Sequence, residues 1–309
     1  MPDATARDLG ERELIARVTE RLEILGSRSD RVLLGPGDDA AVVVAPDGRV
    51  VATTDVLVEG VHFLREWSSP QDVGHKAAAQ NLADVMAMGG TATALLVALV
   101  APPDLPVDWA LGVAEGLRDE AARVGAVVVG GDTAQGDRVV LSITALGDLA
   151  GRPPVTRSGA RPGDVVVVAG VLGASAAGLA LLRDGEREGP LVDLHRRPQP
   201  PYALGPALAA AGATSLVDVS DGLADDLGHV ARASGVSVGL HRGRLEAVLP
   251  DGVTLEDALH GGEDHALAGT VPAGTPLPDG VVAVGRVDPG PAAVLLDGEP
   301  VRGGWEHFT

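Results

Sequence analysis

Apolar residues fall along this chain at two spacings, one suited to helices and one to strands. From 11 to 25, Leu14, Ile15, Val18, Leu22 and Leu25 recur at the spacing of one helical face. A Gly-rich turn at 35–37 leads into the β run AAVVVA at 40–45, and VVATTDVLV at 50–58 forms a second run. The span 70–88 predicts a helix, opened by Pro70 near its first turn and closed by Gly89-Gly90. A strand at 94–100, a helix at 107–124 stopped by Gly125, and strands at 126–130 and 139–147 complete a mixed unit.

The stretch GDLAGRPPVTRSGARPGD at 147–164 is rich in Gly, Pro and Arg and reads as a connector. A strand starts at 164, with helices at 174–184 and 202–211, a strand at 215–219 and a helix at 223–234. Strands near 236–240, 264–271 and 281–287 follow, then a hairpin at 292–302 turning on Asp297-Gly298. The expectation is an α/β fold with mixed (α+β) sheets in two domains, 1–150 and 151–309. A length of 309 residues suits two domains of ordinary size.

Composition narrows the function. Apolar residues make up 45% of the chain and aromatics only 2%, so the cores must be built from Ala, Val and Leu. A formal charge of −19 excludes nucleic-acid binding through a basic surface and leaves room for acids that hold divalent metal. With no Cys, disulfides, zinc–thiolate sites and thiol nucleophiles are excluded. The N-terminal MPDATARDLGERELIARV has no apolar signal core, and runs such as ALLVALVA at 94–101 fall short of the roughly 20 residues of a membrane span. A cytoplasmic protein that meets neither membrane nor nucleic acid is expected.

Two familiar phosphate-binding devices fail. A P-loop needs G-x-x-x-x-G-K-[ST], but the single lysine, Lys76, sits inside a predicted helix. GPGDDA at 35–40 matches the dinucleotide pattern, yet a β run follows it where a helix N-terminus is needed. Asp38 and Asp39 would also repel phosphate unless a cation lay between. Acids recur beside glycines and strand ends: Asp38 and Asp39, Asp55, Asp132, Asp218 and Asp221, with Asp84 on a helix. Each alone could serve structure: Asp38 in a turn, Ser220 or Asp221 as the N-cap of the helix at 223, Asp84 facing solvent. Together they could share Mg²⁺, which takes oxygen ligands from carboxylates, water and substrate phosphates. His62, the pair Glu263 and Asp264 (either could cap or turn), Arg157, and Trp305 with Phe308 near the C-terminus are weaker candidates.

The ordered set GDDAAV, TTDVLVEGVHF, NLADVMAMGG, GGDT, VDVSDGLADD, GGED and a terminal GWxHF resembles the thiamine-monophosphate kinases, within the superfamily typified by aminoimidazole ribonucleotide synthetase. The similarity runs from about Leu14 to Phe308. It implies in-line phosphoryl transfer from ATP to thiamine monophosphate, without a phosphoenzyme. It implies magnesium ligands at Asp39, Thr53, Thr54, Asp55, Asp84, Asp132, Asp218 and Asp221, of which Asp39, Asp55, Asp132 and Asp218 are the catalytic candidates. Nucleotide contacts fall on Gly131, Asp132, Arg157 and Ser220, and substrate contacts on His62, Glu263 and Trp305. It further implies a homodimer paired through the N-terminal domain, which binds Mg-ATP in a cleft between subunits, and a C-terminal α/β domain. Two departures stand out: Ala114 where some members carry a nucleotide-facing Tyr, and Ala174 where an Asp is frequent. The alternatives are another enzyme of the superfamily, such as a ligase like aminoimidazole ribonucleotide synthetase, and a catalytically silent nucleotide-binding regulatory protein.

Overall fold

The segment Val51–Val58 alternates as a half-covered strand should, with Leu57 fully buried and Ala52, Thr54 and Val56 exposed. Its neighbours extend that logic in the computed structural model, which describes residues 4–23, 30–34, 40–301, 303 and 304, except for the side chains of Glu11, Arg12 and Glu23. The chain divides into one unit of residues 1–85 and 92–151 and another of 86–91 and 152–309.

In the first unit the order is α1 (Ala6–Leu9), α2 (Glu11–Glu23), β1 (Val32–Leu34), β2 (Val42–Val43), β3 (Val51–Val58), α3 (Pro70–Ala87), β4 (Thr91–Ala101), α4 (Val107–Ala122), β5 (Val127–Gln135) and β6 (Val140–Asp148). A four-stranded sheet runs β3-β6-β4-β5, with β3 antiparallel to β6 and β4 parallel to β5. Helices α3 and α4 meet backbone to backbone: a Cβ on Gly74 would lie 2.1 Å from the Val113 carbonyl, and one on Gly116 2.1 Å from that of Gln71. Glycine permits that approach, and Ala77, Ala78, Leu82, Val113 and Leu117 are buried around it.

The second unit runs β7 (Val165–Ala169), α5 (Ala174–Arg183), α6 (Pro190–Arg196), α7 (Leu204–Ala210), β8 (Ser215–Val219), α8 (Leu223–Ser234), β9 (Ser237–Leu240), α9 (Arg242–Glu246), α10 (Leu255–His260), β10 (Ala266–Val271), β11 (Val281–Asp288), β12 (Ala293–Leu296) and β13 (Glu299–Val301). Its seven-stranded sheet is ordered β13-β12-β9-β11-β7-β10-β8, antiparallel except where β12 runs parallel to β9. Leu223, Leu227, Val230 and Ala231 on one side of α8 pack with Val217, Val219, Val238 and Val284 of the sheet. Asp297 and Gly298 take φ of 50° and 92°, as the hairpin turn requires.

The mixed α/β class agrees with the sequence reading, with local corrections. Ile15 is 40% exposed while Leu14 is buried, so the apolar stripe of α2 is narrower than its spacing suggests; Leu25 lies outside the described residues. The run 40–45 shrinks to Val42–Val43, paired with an unforeseen β1. Helices α6, α9 and α10 are too short for periodicity to register.

Candidate active site

In the first unit, strand pleat and helical turn bring four polar residues together. Thr53 and Asp55 point to the same face of β3, which the register aligns with buried Ala145 and Ile143. Asn81 and Asp84 lie three residues apart, on one side of α3. The Thr53 hydroxyl donates to Asp84 Oδ2 at 2.6 Å, and the Asn81 amide oxygen accepts the Asp55 N–H at 3.0 Å. Asp84 therefore faces β3 and not open solvent. Asn81 is fully buried and donates to the Ala77 carbonyl, which fixes the amide that receives β3.

Two expected companions are elsewhere. Thr54 points to the other face, where its hydroxyl donates to the Ile143 carbonyl at 2.9 Å and receives the Thr144 hydroxyl. Any oxygen Thr54 shares with Thr53 and Asp55 must come from its main chain. Gly131 and Asp132 lie on β5, at the opposite edge of the sheet from β3, about 14 Å away at ordinary strand spacing. The register sets Asp132 against Ala98, two residues along β4 from the exposed Leu96. One chain thus does not gather Asp55, Asp84 and Asp132, contrary to expectation, because β6 and β4 intervene. Gly131 has its own constraint, since a Cβ there would fall 1.8 Å from the Val97 carbonyl. Asp39 lies outside the described residues.

His62 closes the turn after β3. Its Nδ1 accepts the Val58 N–H at 3.0 Å, so a neutral ring carries its proton on Nε2. Lys76, 2% exposed, donates to the His62 carbonyl at 3.3 Å. The one lysine of the chain therefore braces a candidate substrate residue.

In the second unit the end of β8 carries Asp218, Ser220 and Asp221. Neither Ser220 nor Asp221 caps α8, whose N-cap is Gly222 without a side-chain bond. Asp226, which the sequence reading passed over, does the work from the first turn: its Oδ2 accepts the N–H groups of Ser220 and Asp221, each at 3.0 Å. A second loop clasps the first. Glu263 donates its N–H to Ser220 O and His265 donates to Val219 O, both at 2.8 Å. Gly262 and Gly222 permit the clasp, since Cβ atoms there would meet the Ser220 and Leu259 carbonyls at 2.5 and 2.8 Å. His265 Nδ1 stands 3.4 Å from Asp218 Oδ2, and Ser175 Oγ lies 2.9 Å from His195 Nδ1, itself 3.9 Å from Glu263 Oε2. Gly304 packs against the Asp221 carbonyl and the Asp225 side chain, so the chain reaches this loop just before Trp305. Trp305 and Phe308 lie outside the described residues. Arg157 is exposed and its carbonyl accepts the Ser234 hydroxyl.

These acids suit a cation. Asp226 is pushed up to about 8, first by burial and then by Asp218, with the Asp221 N–H opposing and the Asp221 charge adding. A cation shared by Asp218 and Asp221 would relieve that crowding. Among the described residues no three His, Asp or Glu converge as a complete metal shell. Mg²⁺ does not require one, since it keeps waters and takes phosphate oxygens beside one or two carboxylates. Among those residues, too, no helix is long and apolar enough to cross a membrane.

Residues 37–149 match the family model of the AIR synthase related protein, N-terminal domain, and residues 161–272 that of its C-terminal domain. A thiamine-monophosphate kinase of Mycobacterium tuberculosis (strain H37Rv) is 48% identical over 319 residues, covering 98% of this chain and 93% of its own length. A crystal structure of the thiamine-monophosphate kinase from Stenotrophomonas maltophilia K279a superposes with a TM-score of 0.80 at 33% identity, over 93% of this chain and 96% of that one. A structure described as AaThiL complexed with AMPPCP and TMP gives 0.78 at 34% identity, over 98% of both chains.

Proposed function

The chain belongs to the thiamine-monophosphate kinase family, within the AIR synthase-related proteins, and from that premise we propose how its residues carry out the reaction. The enzyme is an ATP-dependent kinase of thiamine monophosphate. In the proposed step a phosphate oxygen of thiamine monophosphate attacks the γ-phosphorus of ATP in line. The bond to the β,γ-bridging oxygen breaks, giving thiamine diphosphate and ADP. Bound Mg²⁺ would neutralise charge on the transferred group. Asp39, Thr53, Asp55, Asp84, Asp218 and Asp221, with the Thr54 main chain, are the residues proposed to hold it.

Ser220 and Arg157 are proposed to meet the nucleotide, and His62, Glu263 and Trp305 the thiamine monophosphate. His62 is held at the turn after β3 by the Val58 N–H on its Nδ1. We assign Mg-ATP binding and dimerisation to residues 1–150 and the second α/β layer to 151–309, in a cytoplasmic enzyme. The exposed sheet residues Val56 and Leu96, 44% and 37% accessible, suit pairing with a second copy. Asp132 and Gly131, remote from Asp55 in their own chain, would then serve the partner's site.

The observation that carries this reading is the clasp at the end of β8, where Asp218, Ser220, Asp221 and Glu263 are fixed by main-chain hydrogen bonds around a crowded, buried Asp226. Incubation with ATP and thiamine monophosphate should yield equal amounts of ADP and thiamine diphosphate only when Mg²⁺ is present. ADP and free phosphate without thiamine diphosphate would mean uncoupled hydrolysis of ATP, and no turnover would return the chain to the ligase or the regulatory reading.

A further inference from the structure

Two residues other than glycine adopt left-handed backbone conformations within three positions: Glu263 at φ 64° and His265 at φ 51°. Such strain persists only where surrounding structure enforces it. Between them sits Asp264, 7% exposed, whose Oδ2 accepts the Gly173 N–H at 2.5 Å and whose Oδ1 accepts the Ser175 N–H at 2.9 Å. These are donors at the start of α5, which has no side-chain cap of its own at Gly173. The carboxylate thus takes the place of a cap from 89 residues away in sequence. The loop is held on its other side by the main-chain bonds from Glu263 and His265 to Ser220 and Val219. A strained segment pinned on both sides has its side-chain directions set by the pins.

We propose that Asp264 is a positioning residue for the kinase reaction: by binding the N-terminus of α5 it holds Glu263 in its left-handed conformation, aiming it at thiamine monophosphate. This rests on the reading of Glu263 as a substrate contact. Burial of Asp264 lifts its carboxyl to about 7 against the two N–H groups that favour its charge, so the contact depends on geometry that α5 and the loop must maintain jointly.

A double-mutant cycle tests the proposal, with KM for thiamine monophosphate, KM for ATP and kcat measured on Asp264→Asn, Glu263→Gln and the pair. Asparagine keeps the shape but turns an NH₂ group toward one of the two N–H donors. The expected result is a roughly tenfold rise in KM for thiamine monophosphate in each single variant, unchanged KM for ATP, and little further rise in the double variant. Additive effects, or a loss of folded protein with normal KM in what remains, would make Asp264 a structural cap and overturn the proposal. An unchanged KM in Glu263→Gln would overturn the substrate reading and the proposal together. A raised KM in Glu263→Gln beside a normal one in Asp264→Asn would overturn the proposal alone. Should Asp264→Asn fail to fold, Ser175→Pro removes one donor within the first turn of α5, where proline fits, and must give the same KM split.

Discussion

At the scale of single residues, the acids of this chain divide into those proposed to meet a cation and those that brace the segments carrying them. Asp55→Asn tests the first kind. It keeps the side-chain shape and removes one of two charges, Asp55 and Asp84, carried on facing elements. Kinase activity should nearly vanish, while the melting temperature in chelator holds or rises; a fall of about 1 kcal/mol in stability with activity retained would mark Asp55 as structural. Lys76→Met tests the brace behind His62. KM for thiamine monophosphate should rise about threefold or more while KM for ATP stays put, and an ATP effect would count against a lysine-free phosphate site. Which acids were candidates was legible in the sequence from glycine-flanked strand ends. Asp226 and Asn81 were not, because each acts through main-chain groups of residues that sequence alone does not place nearby. In the sequence Asp264 reads as either a cap or a turn residue, and its contact with the start of α5 is visible only in the fold.

Among the elements, long helices and central strands were readable because their period repeats often enough. Helix α8 and strand β8 match their expected ranges, and Asp297-Gly298 marks its hairpin. Helix α10 escaped periodicity but carried another signal, the Thr254–Asp257 capping box, with the Thr254 hydroxyl accepting the Asp257 N–H at 3.1 Å. The clasp between the loops at 219–222 and 261–265 could not be read from either segment alone. Its dependence on glycine can be checked with Gly262→Ala. The new methyl would stand 2.5 Å from the Ser220 carbonyl, so the loops must part. Activity should drop by roughly an order of magnitude or more even in correctly folded protein, seen as a lower kcat/KM with a near-native circular dichroism spectrum. Unchanged kinetics would show that Glu263 does not need the clasp.

For the whole molecule, two buried carboxyls set an unusual pH response. Asp264 and Asp226 are raised to about 7 and about 8, so the folded chain keeps protons that unfolded aspartates, at 3.8, would have released. Their contribution to stability is complete below 3.8 and fades as pH rises through 7 and then 8. In chelator, the melting temperature should fall from pH 6 to pH 9, and Mg²⁺ should recover part of the loss; a rise over that range would contradict the assignment. The separation of Asp132 from Asp55 invites a second test at this scale. If Asp132 serves the partner subunit, mixing inactive Asp55→Asn and Asp132→Asn chains creates dimers with one intact site, restoring up to about a quarter of wild-type activity. Continued inactivity after subunit exchange would place Asp132 in its own chain's site.

The buried Lys76 has a further consequence, for chemical labelling. With the α-amino group set aside, the folded protein shows almost no amine to an acylating reagent, since its single side-chain amine is 2% exposed beneath the turn at His62. Acylation of Lys76 then requires α3 or that turn to open. Its rate, followed by the mass of one tryptic fragment, becomes a clock for local opening. Thiamine monophosphate bound at His62 should slow that clock, giving a measure of occupancy that does not depend on turnover.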